Sequence, residues 1–277
     1  MYKIIEKKFF SEKVVKLVLK APEIAKSRRA GHFVIVRVDS KGERIPLTIA
    51  DSDIQNGTIT LVIQVVGVTS AKLSNLNVGD EILDVVGPLG KATHIENYGT
   101  VLAAGGGVGV APLYPIVKAM KEAGNRVVTV LAARTKELII LEEEMRKYSD
   151  ELIIMTDDGS YGKKGLVTMG MEEVIEREKV DFSMIIGPAI MMKFGALTTK
   201  KYNIPTEVSL NTIMVDGTGM CGACRVSVGG KTKFVCVDGP EFDAHKIDFD
   251  EMLMRLSAYK EEETIAYEKH KCKSHNH

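Results

Sequence analysis

The chain has 277 residues, 45% of them hydrophobic, with 37 Lys and Arg balanced by 37 Asp and Glu. That length suits two domains with a small appended module, and the zero net charge offers no electrostatic reason to expect nucleic acid, a membrane surface or an acidic partner. No uncharged apolar stretch approaches the roughly 18 residues of a spanning helix, and Met1-Tyr2-Lys3-Ile4-Ile5-Glu6-Lys7 lacks the apolar core and cleavage site of a signal peptide, so a cytoplasmic location is expected.

Residues 1–97 read as short strands. The runs 33–38, 58–66 and 80–86 are β-branched and partly alternating, and Gly57, Gly67, Gly79 and Gly87-Pro88 punctuate them as turns. Strands at this spacing predict a small β-barrel. Within it, Arg44-Ile-Pro46-Leu47-Thr48 sets a cation and a hydroxyl either side of a proline, a pattern able to meet a phosphate and the edge of a polar ring. Gly67-Val-Thr69-Ser70 is a second candidate phosphate turn.

After Gly99 the rhythm changes to strands alternating with helices, which predicts a doubly wound parallel sheet over residues 98–210. Strands are expected at 100–104, 126–132, 151–156, 182–187 and 206–210, with helices over 112–123, 139–148, 166–178 and 189–202. Gly105-Gly106-Gly107-Val-Gly109 joins the first of these strands to a helix carrying Pro112 in its first turn. Glycines there let backbone approach a ligand, and the helix N-terminus offers unpaired N–H groups and a positive dipole. Arg134 ends the second strand where an acidic residue would bind the ribose of NAD, so the loop leaves NAD and NADP open. Glu142-Glu143-Glu144 reads as a solvated helix face and Asp157-Asp158 as a turn that could also touch the adenosine ribose; no acid–base dyad is evident.

Residues 211–245 break the alternation, and three of the four cysteines fall there, within residues 221–236. Asp216-x₄-Cys221-x₂-Cys224, followed by Cys236, is the spacing of a plant-type [2Fe–2S] site with aspartate in the first ligand position. Gly217, Gly219 and Gly222 leave N–H groups uncovered toward sulfur, and the segment 225–236 reads as a hairpin returning Cys236 to the first loop. A zinc site completed by Cys272 or His245 is the alternative, and a thioredoxin-like Cys-x-x-Cys is a third reading. Residues 246–277 are expected to form one amphipathic helix over 247–267 and a mobile tail whose His and Cys residues are incidental.

Together these motifs resemble the ferredoxin–NADP reductase-like superfamily along almost the whole chain. Arg44-x-Pro46-x-Thr48 is similar to its flavin motif, Gly67-x-Thr69-Ser70 to its pyrophosphate turn, and the 105–112 loop to its nicotinamide loop. Gly187-Pro188-Ala-x-Met-Met192 resembles the stretch that closes the nicotinamide site, with Ile186 in the usual cysteine position. A [2Fe–2S] module after the nucleotide domain resembles the electron-transfer subunits of dihydroorotate dehydrogenase, which carry four cysteines. The Asp-plus-three-Cys form resembles the small subunits of NADH-dependent reduced ferredoxin:NADP oxidoreductases, also known as sulfide dehydrogenase beta subunits. The resemblance implies FAD on Arg44, Pro46, Leu47, Thr48, Gly67, Thr69 and Ser70. It implies NAD(H) on Gly105, Gly106, Gly107, Gly109, Gly187 and Pro188, and a [2Fe–2S] cluster on Asp216, Cys221, Cys224 and Cys236. It also implies a heterodimer with a large, glutamate-synthase-like flavin/iron–sulfur partner that reaches ferredoxin and NADP. A zinc-stabilised nucleotide-binding regulatory module is the competing non-enzymatic reading.

Overall fold

A computed structural model describes residues 1–274. Its N-terminal part is an antiparallel sheet of β1 (Tyr2–Ser11), β2 (Val14–Lys20), β3 (Phe33–Arg37), β4 (Arg44–Asp53), β5 (Thr58–Gln64), β6 (Glu81–Ile82) and β7 (Asp84–Leu89). The strand order is β6-β1-β2-β5-β4-β3-β7. The two edge strands are separated by Leu83 alone, so the sheet edges meet and the barrel nearly closes, leaving little edge unpaired. Alternation directs Val15, Leu17, Leu19, Val34, Val36, Leu61 and Ile63 into the barrel interior. Two helices, α1 (Pro22–Ser27) and α2 (Val68–Asn75), fill the long connections.

The second part alternates β8 (Thr100–Gly106), α3 (Val110–Glu122), β9 (Arg126–Ala133), α4 (Glu142–Tyr148), β10 (Glu151–Thr156), the short β11 (Lys163–Lys164), α5 (Val167–Arg177), β12 (Phe182–Ile186), α6 (Ala189–Lys201) and β13 (Thr206–Ser209). These strands are parallel. β8 is buried almost throughout, as a strand covered by helices on both faces must be. The sheet order β11-β10-β9-β8-β12-β13 reverses direction between β8 and β12, which creates a crevice at their carboxyl ends.

The last part holds the hairpin β14 (Arg225–Val228) and β15 (Lys231–Phe234), the turn α7 (Val235–Asp238), β16 (Glu241–Asp243), α8 (Phe249–Leu256) and α9 (Lys260–Ser274). β16 pairs antiparallel with β13 and so extends the nucleotide-type sheet. Gly229 N–H donates to Lys246 O at 2.7 Å and Asp248 N–H to Ser227 O at 2.9 Å, tying the hairpin to the start of α8.

Three expectations shift. The single C-terminal helix is two, because Asp248 caps α8 through Glu251 N–H at 2.9 Å while the 257–259 turn ends it. α9 then continues through Ser274, so residues 268–274 of the expected tail are helical, and residues 275–277 lie outside the described part. The expected helix over 139–148 begins only at Glu142, because Ile140 is buried in the core and Leu141 has a left-handed backbone. No helix among the described residues is long and apolar enough to cross a membrane.

Candidate functional site

Strand period 2 places Arg44, Pro46 and Thr48 on one face of β4, while Ile45 and Leu47 turn to the barrel core. Leu47 can therefore contribute to a ligand site chiefly through its backbone. Across the ladder, Arg37, Ile35 and Phe33 pair with Arg44, Pro46 and Thr48 and share their outer face. That face is not left to solvent: Phe33 and Ile35 are 3% and 1% exposed, in one cluster with Leu210, Met214, Cys224, Val235 and Cys236.

Gly67 precedes α2 in extended backbone, with open space where a side chain would stand. The Ser70 hydroxyl accepts from Val66 N–H and Gly67 N–H, each at 3.0 Å, and donates to Gly67 O at 2.9 Å. Thr69 donates to Glu43 at 2.9 Å. Ser70 thus serves as the local cap, and the first-turn N–H groups of α2 remain for a ligand.

At the crevice between β8 and β12, the glycine loop and the Gly187-Pro188 turn meet backbone to backbone. A methyl on Gly109 would stand 2.6 Å from Ile186 O and 2.7 Å from Gly187 Cα, and one on Gly187 would stand 2.5 Å from Met191 Cε. Gly106 is closed over by the same Met191 side chain. The structure therefore assembles Gly105, Gly106, Gly107, Gly109, Gly187 and Pro188 at one place, together with Met191 of the 187–192 stretch, whose side chain covers Gly106 and Gly187. Gly109→Ala is expected to cost about 1–3 kcal/mol, since two main chains must separate, and to weaken NADH binding. Thermal melting and an NADH titration read both effects.

Asp158 accepts from Ser160 N–H at 2.9 Å and from the Ser160 hydroxyl at 2.6 Å, bonds that lower its pKa and keep it within its own turn. Glu142 holds Arg146 at 2.7 Å and accepts from Tyr161 OH at 3.0 Å, as a first-turn helix carboxylate does. Asp158 is thus engaged within its turn, and Glu142 is tied to Arg146 and Tyr161 rather than free in solvent.

In the cysteine loop, Cys224 Sγ and Cys236 Sγ lie 3.3 Å apart without a disulfide, each 2% exposed, and Cys236 N–H points at Cys224 Sγ at 3.5 Å. Burial pushes the Cys236 thiol up to about 12, with the neighbouring Cys224 sulfur adding to the rise. Asp216 accepts from the Thr218 hydroxyl, from Met220 N–H at 3.1 Å and from Cys221 N–H at 3.4 Å. The Thr218 bond first, then the backbone bonds, hold its carboxyl down at about 2. Cys224 and Cys236 form a buried sulfur pair, while the half-buried Asp216 carboxylate is joined to the exposed Cys221 through the Cys221 backbone N–H. Among the described residues, no three His, Cys, Asp or Glu side chains close around one point. His245 is turned elsewhere, 3.0 Å from Thr199 Oγ1.

Gly217 links this loop to the barrel. It has φ +82°, and a methyl there would stand 2.7 Å from Ile35 Cγ1 and 2.9 Å from Leu89 Cδ1. The residue after Asp216 therefore rests on the strand whose next neighbour carries Pro46.

Comparison with known proteins assigns the three parts. Residues 1–94 match an oxidoreductase FAD-binding domain, 104–196 an oxidoreductase NAD-binding domain, and 211–248 the iron–sulfur cluster binding domain of dihydroorotate dehydrogenase B. A Thermotoga maritima homologue of the dihydroorotate dehydrogenase B (NAD(+)) electron transfer subunit is 52% identical, covering 96% of this chain and 94% of its own. The chain belongs to the family of dihydroorotate dehydrogenase B electron-transfer subunits and their homologues. Another family member, from Geobacillus kaustophilus, is 34% identical over 88% of this chain and 96% of its own. A solved structure described for flavin-based electron bifurcation by NADH-dependent reduced ferredoxin-NADP oxidoreductase superposes with a TM-score of 0.93, at 50% identity and 97% coverage of both chains. The Amycolatopsis cytochrome P450 reductase GcoB, 20% identical with a TM-score of 0.61 over 72% of this chain and 65% of its own, shares the fold. Like its family, the chain is an oxidoreductase subunit with FAD, NAD and iron–sulfur domains.

Proposed function

We propose that this chain exchanges hydride with NAD(H) and single electrons with a larger flavin/iron–sulfur partner, as the small subunit of a cytoplasmic, bifurcating NADH-dependent reduced ferredoxin–NADP oxidoreductase. Ferredoxin and NADP would be reached through that partner. The division into residues 1–97, 98–210, 211–245 and 246–277 belongs to the same proposal. The observation that carries it is the seat of Gly217 on Ile35 and Leu89, which sets the cluster loop against the outer face shared by Arg44, Pro46 and Thr48.

On this reading, Arg44 meets phosphate charge, Thr48 offers a hydrogen bond to the ring edge, and Pro46 packs beneath it. The first turn of α2, opened by Gly67 and held by Ser70, receives the diphosphate. Gly105 to Gly109 with Gly187 and Pro188 bring main-chain groups against NAD(H), and Met191 shapes that crevice. Bound flavin converts a two-electron hydride donor into two single-electron steps. Cys224 and Cys236, buried, and Asp216 and Cys221, nearer the surface where a partner can approach, would hold the cluster, which would supply single-electron transfer. The buried cysteine pair and glycine-lined loop fit a two-iron centre, since iron keeps thiolates charged that burial would otherwise protonate.

The test is isolation of the native complex, with its flavin and iron content and its NADH/NADPH preference. A large flavin/iron–sulfur partner and NADH-driven flavin bleaching are expected; a dihydroorotate-oxidising partner would move the chain to the dihydroorotate dehydrogenase branch, and a colourless zinc protein would refute the redox reading. That branch is the second reading, supported by the match at 211–248; the carboxylate at Asp216, in place of a fourth cysteine, favours the first. Asp216→Cys is expected to retain a cluster with altered potential and EPR signal, because a hard oxygen donor is exchanged for a soft sulfur at equal charge. Identical spectra would count against Asp216 as a ligand.

A further inference from the structure

We propose that the C-terminal helix α9 closes the diphosphate–adenosine end of the flavin site, with Lys269 and His270 forming its outer wall. This inference rests on the flavin reading of the barrel and adds a segment far from any barrel motif. After α8 the chain returns to the barrel and packs α9 on α2. Between them lies a cavity of about 300 Å³, within the size range of small-molecule sites. Its floor is Val68 and Thr69 of the pyrophosphate turn; Lys41 and Lys72 stand on the barrel side and Lys269 and His270 on the α9 side.

The charges are distributed unevenly. Lys72 is paired with Asp39 at 2.8 Å, and Glu43 is engaged by the Thr69 hydroxyl at 2.9 Å. Lys41 and Lys269 have no ion pair among the described residues, yet both line one cavity with the positive end of α2. Lys41, Lys72 and Lys269, the His270 ring and free first-turn N–H groups face the cavity with Glu43 as its one carboxylate among the described residues, and a dianion there would offset the excess of lysine charge. The rest of α9 explains why it is there at all. Its sequence, KEEETIAYEKHKCKS, has too few apolar residues to be held by core burial alone. A helix so polar gains a reason to dock when a bound anion bridges it to α2.

The test uses the full-length apoprotein, titrated with FAD and with riboflavin, which lacks the diphosphate and adenosine. The joint substitution Lys269→Ala and His270→Ala is expected to raise the FAD Kd by about tenfold or more, tenfold being 1.4 kcal/mol, and to leave the riboflavin Kd within about twofold. A charge series at one position, Lys269→Arg, Lys269→Ala and Lys269→Glu, uses residues that all tolerate a helix, and FAD affinity should fall in that order. An unchanged FAD Kd in the double variant, an equal change for riboflavin, or a Lys269 series without charge order would overturn the proposal. If the unsubstituted protein bound neither FAD nor riboflavin, the flavin reading of the barrel itself would fall.

Discussion

Cys224→Ala is expected to abolish the iron–sulfur centre while the flavin and nicotinamide sites still load. Cys224 lies in the apolar cluster that also holds Phe33, Ile35 and Val235, and its sulfur is 3.3 Å from that of Cys236. Alanine fits the space, so folding loses little more than one buried sulfur contact, on the order of 1 kcal/mol. The cluster loses far more. No spare cysteine can replace it: Cys221 is itself a proposed ligand, and Cys272 lies on α9. Iron content and the EPR signal of the reduced protein should drop to background. NADH should still bleach the flavin, because the crevice at Gly106 and Gly187 is built from different strands. Electron delivery to the partner should stop. A variant that keeps its EPR signal, or one that loses flavin reduction along with iron, would contradict the pairing of Cys224 with Cys236 or the independence of the two sites.

Where the sequence succeeded, local chemistry was decisive. The glycine loop, the Gly187-Pro188 turn and the cysteine spacing each occupy a few consecutive residues, and each is where backbone must pass close to something. The barrel interior followed from β-branched alternation in 33–38 and 58–66. β1 was harder to see, since only Ile4 in its ten residues is buried. β4 carries Pro46 inside a strand, and a proline argues against an interior strand unless its missing N–H is not needed there. What no local pattern contains is the return of distant segments to one surface. Gly217 rests on Ile35 across more than half the chain, and α9 docks on α2 from the far end. Met191 lay in a legible local stretch, yet its contact with Gly106, 85 residues away, is of the same long-range kind. The helix over 247–267 was misread for a simpler reason: amphipathic period does not register the 257–259 turn, where the cap geometry ends one helix and begins another.

Glu241→Gln should stabilise the protein, and the gain should depend on pH. Glu241 sits where barrel, nucleotide sheet and cluster module meet: it is on β16, its carboxylate accepts from Thr93 of the barrel at 2.8 Å, and it crowds Gly31. Burial raises its pKa from 4.5 to about 8, with Glu207 adding to the rise and the Thr93 bond opposing it. Glu207 is itself raised by burial and by Asp243, and lowered by His94. The sign follows from proton counting. Below pH 4.5 the carboxyl is neutral in both folded and unfolded chains and costs nothing. Between pH 4.5 and 8 the unfolded chain releases the proton while the folded chain keeps it, so stability falls as pH rises; above pH 8 both are ionised and the full cost remains. Over the roughly 3.5 units between 4.5 and about 8, at about 1.4 kcal/mol per unit, that cost is on the order of 5 kcal/mol. Glutamine keeps the acceptor for Thr93 and never ionises. The difference in Tm between variant and parent should be near zero in acid, grow through neutrality and level off in mild alkali at about 5–10 °C. A difference that is flat with pH, or a glutamine variant that melts lower throughout, would mean that Glu241 is held ionised at the junction, and that the three parts are joined there by charge rather than by a shared proton.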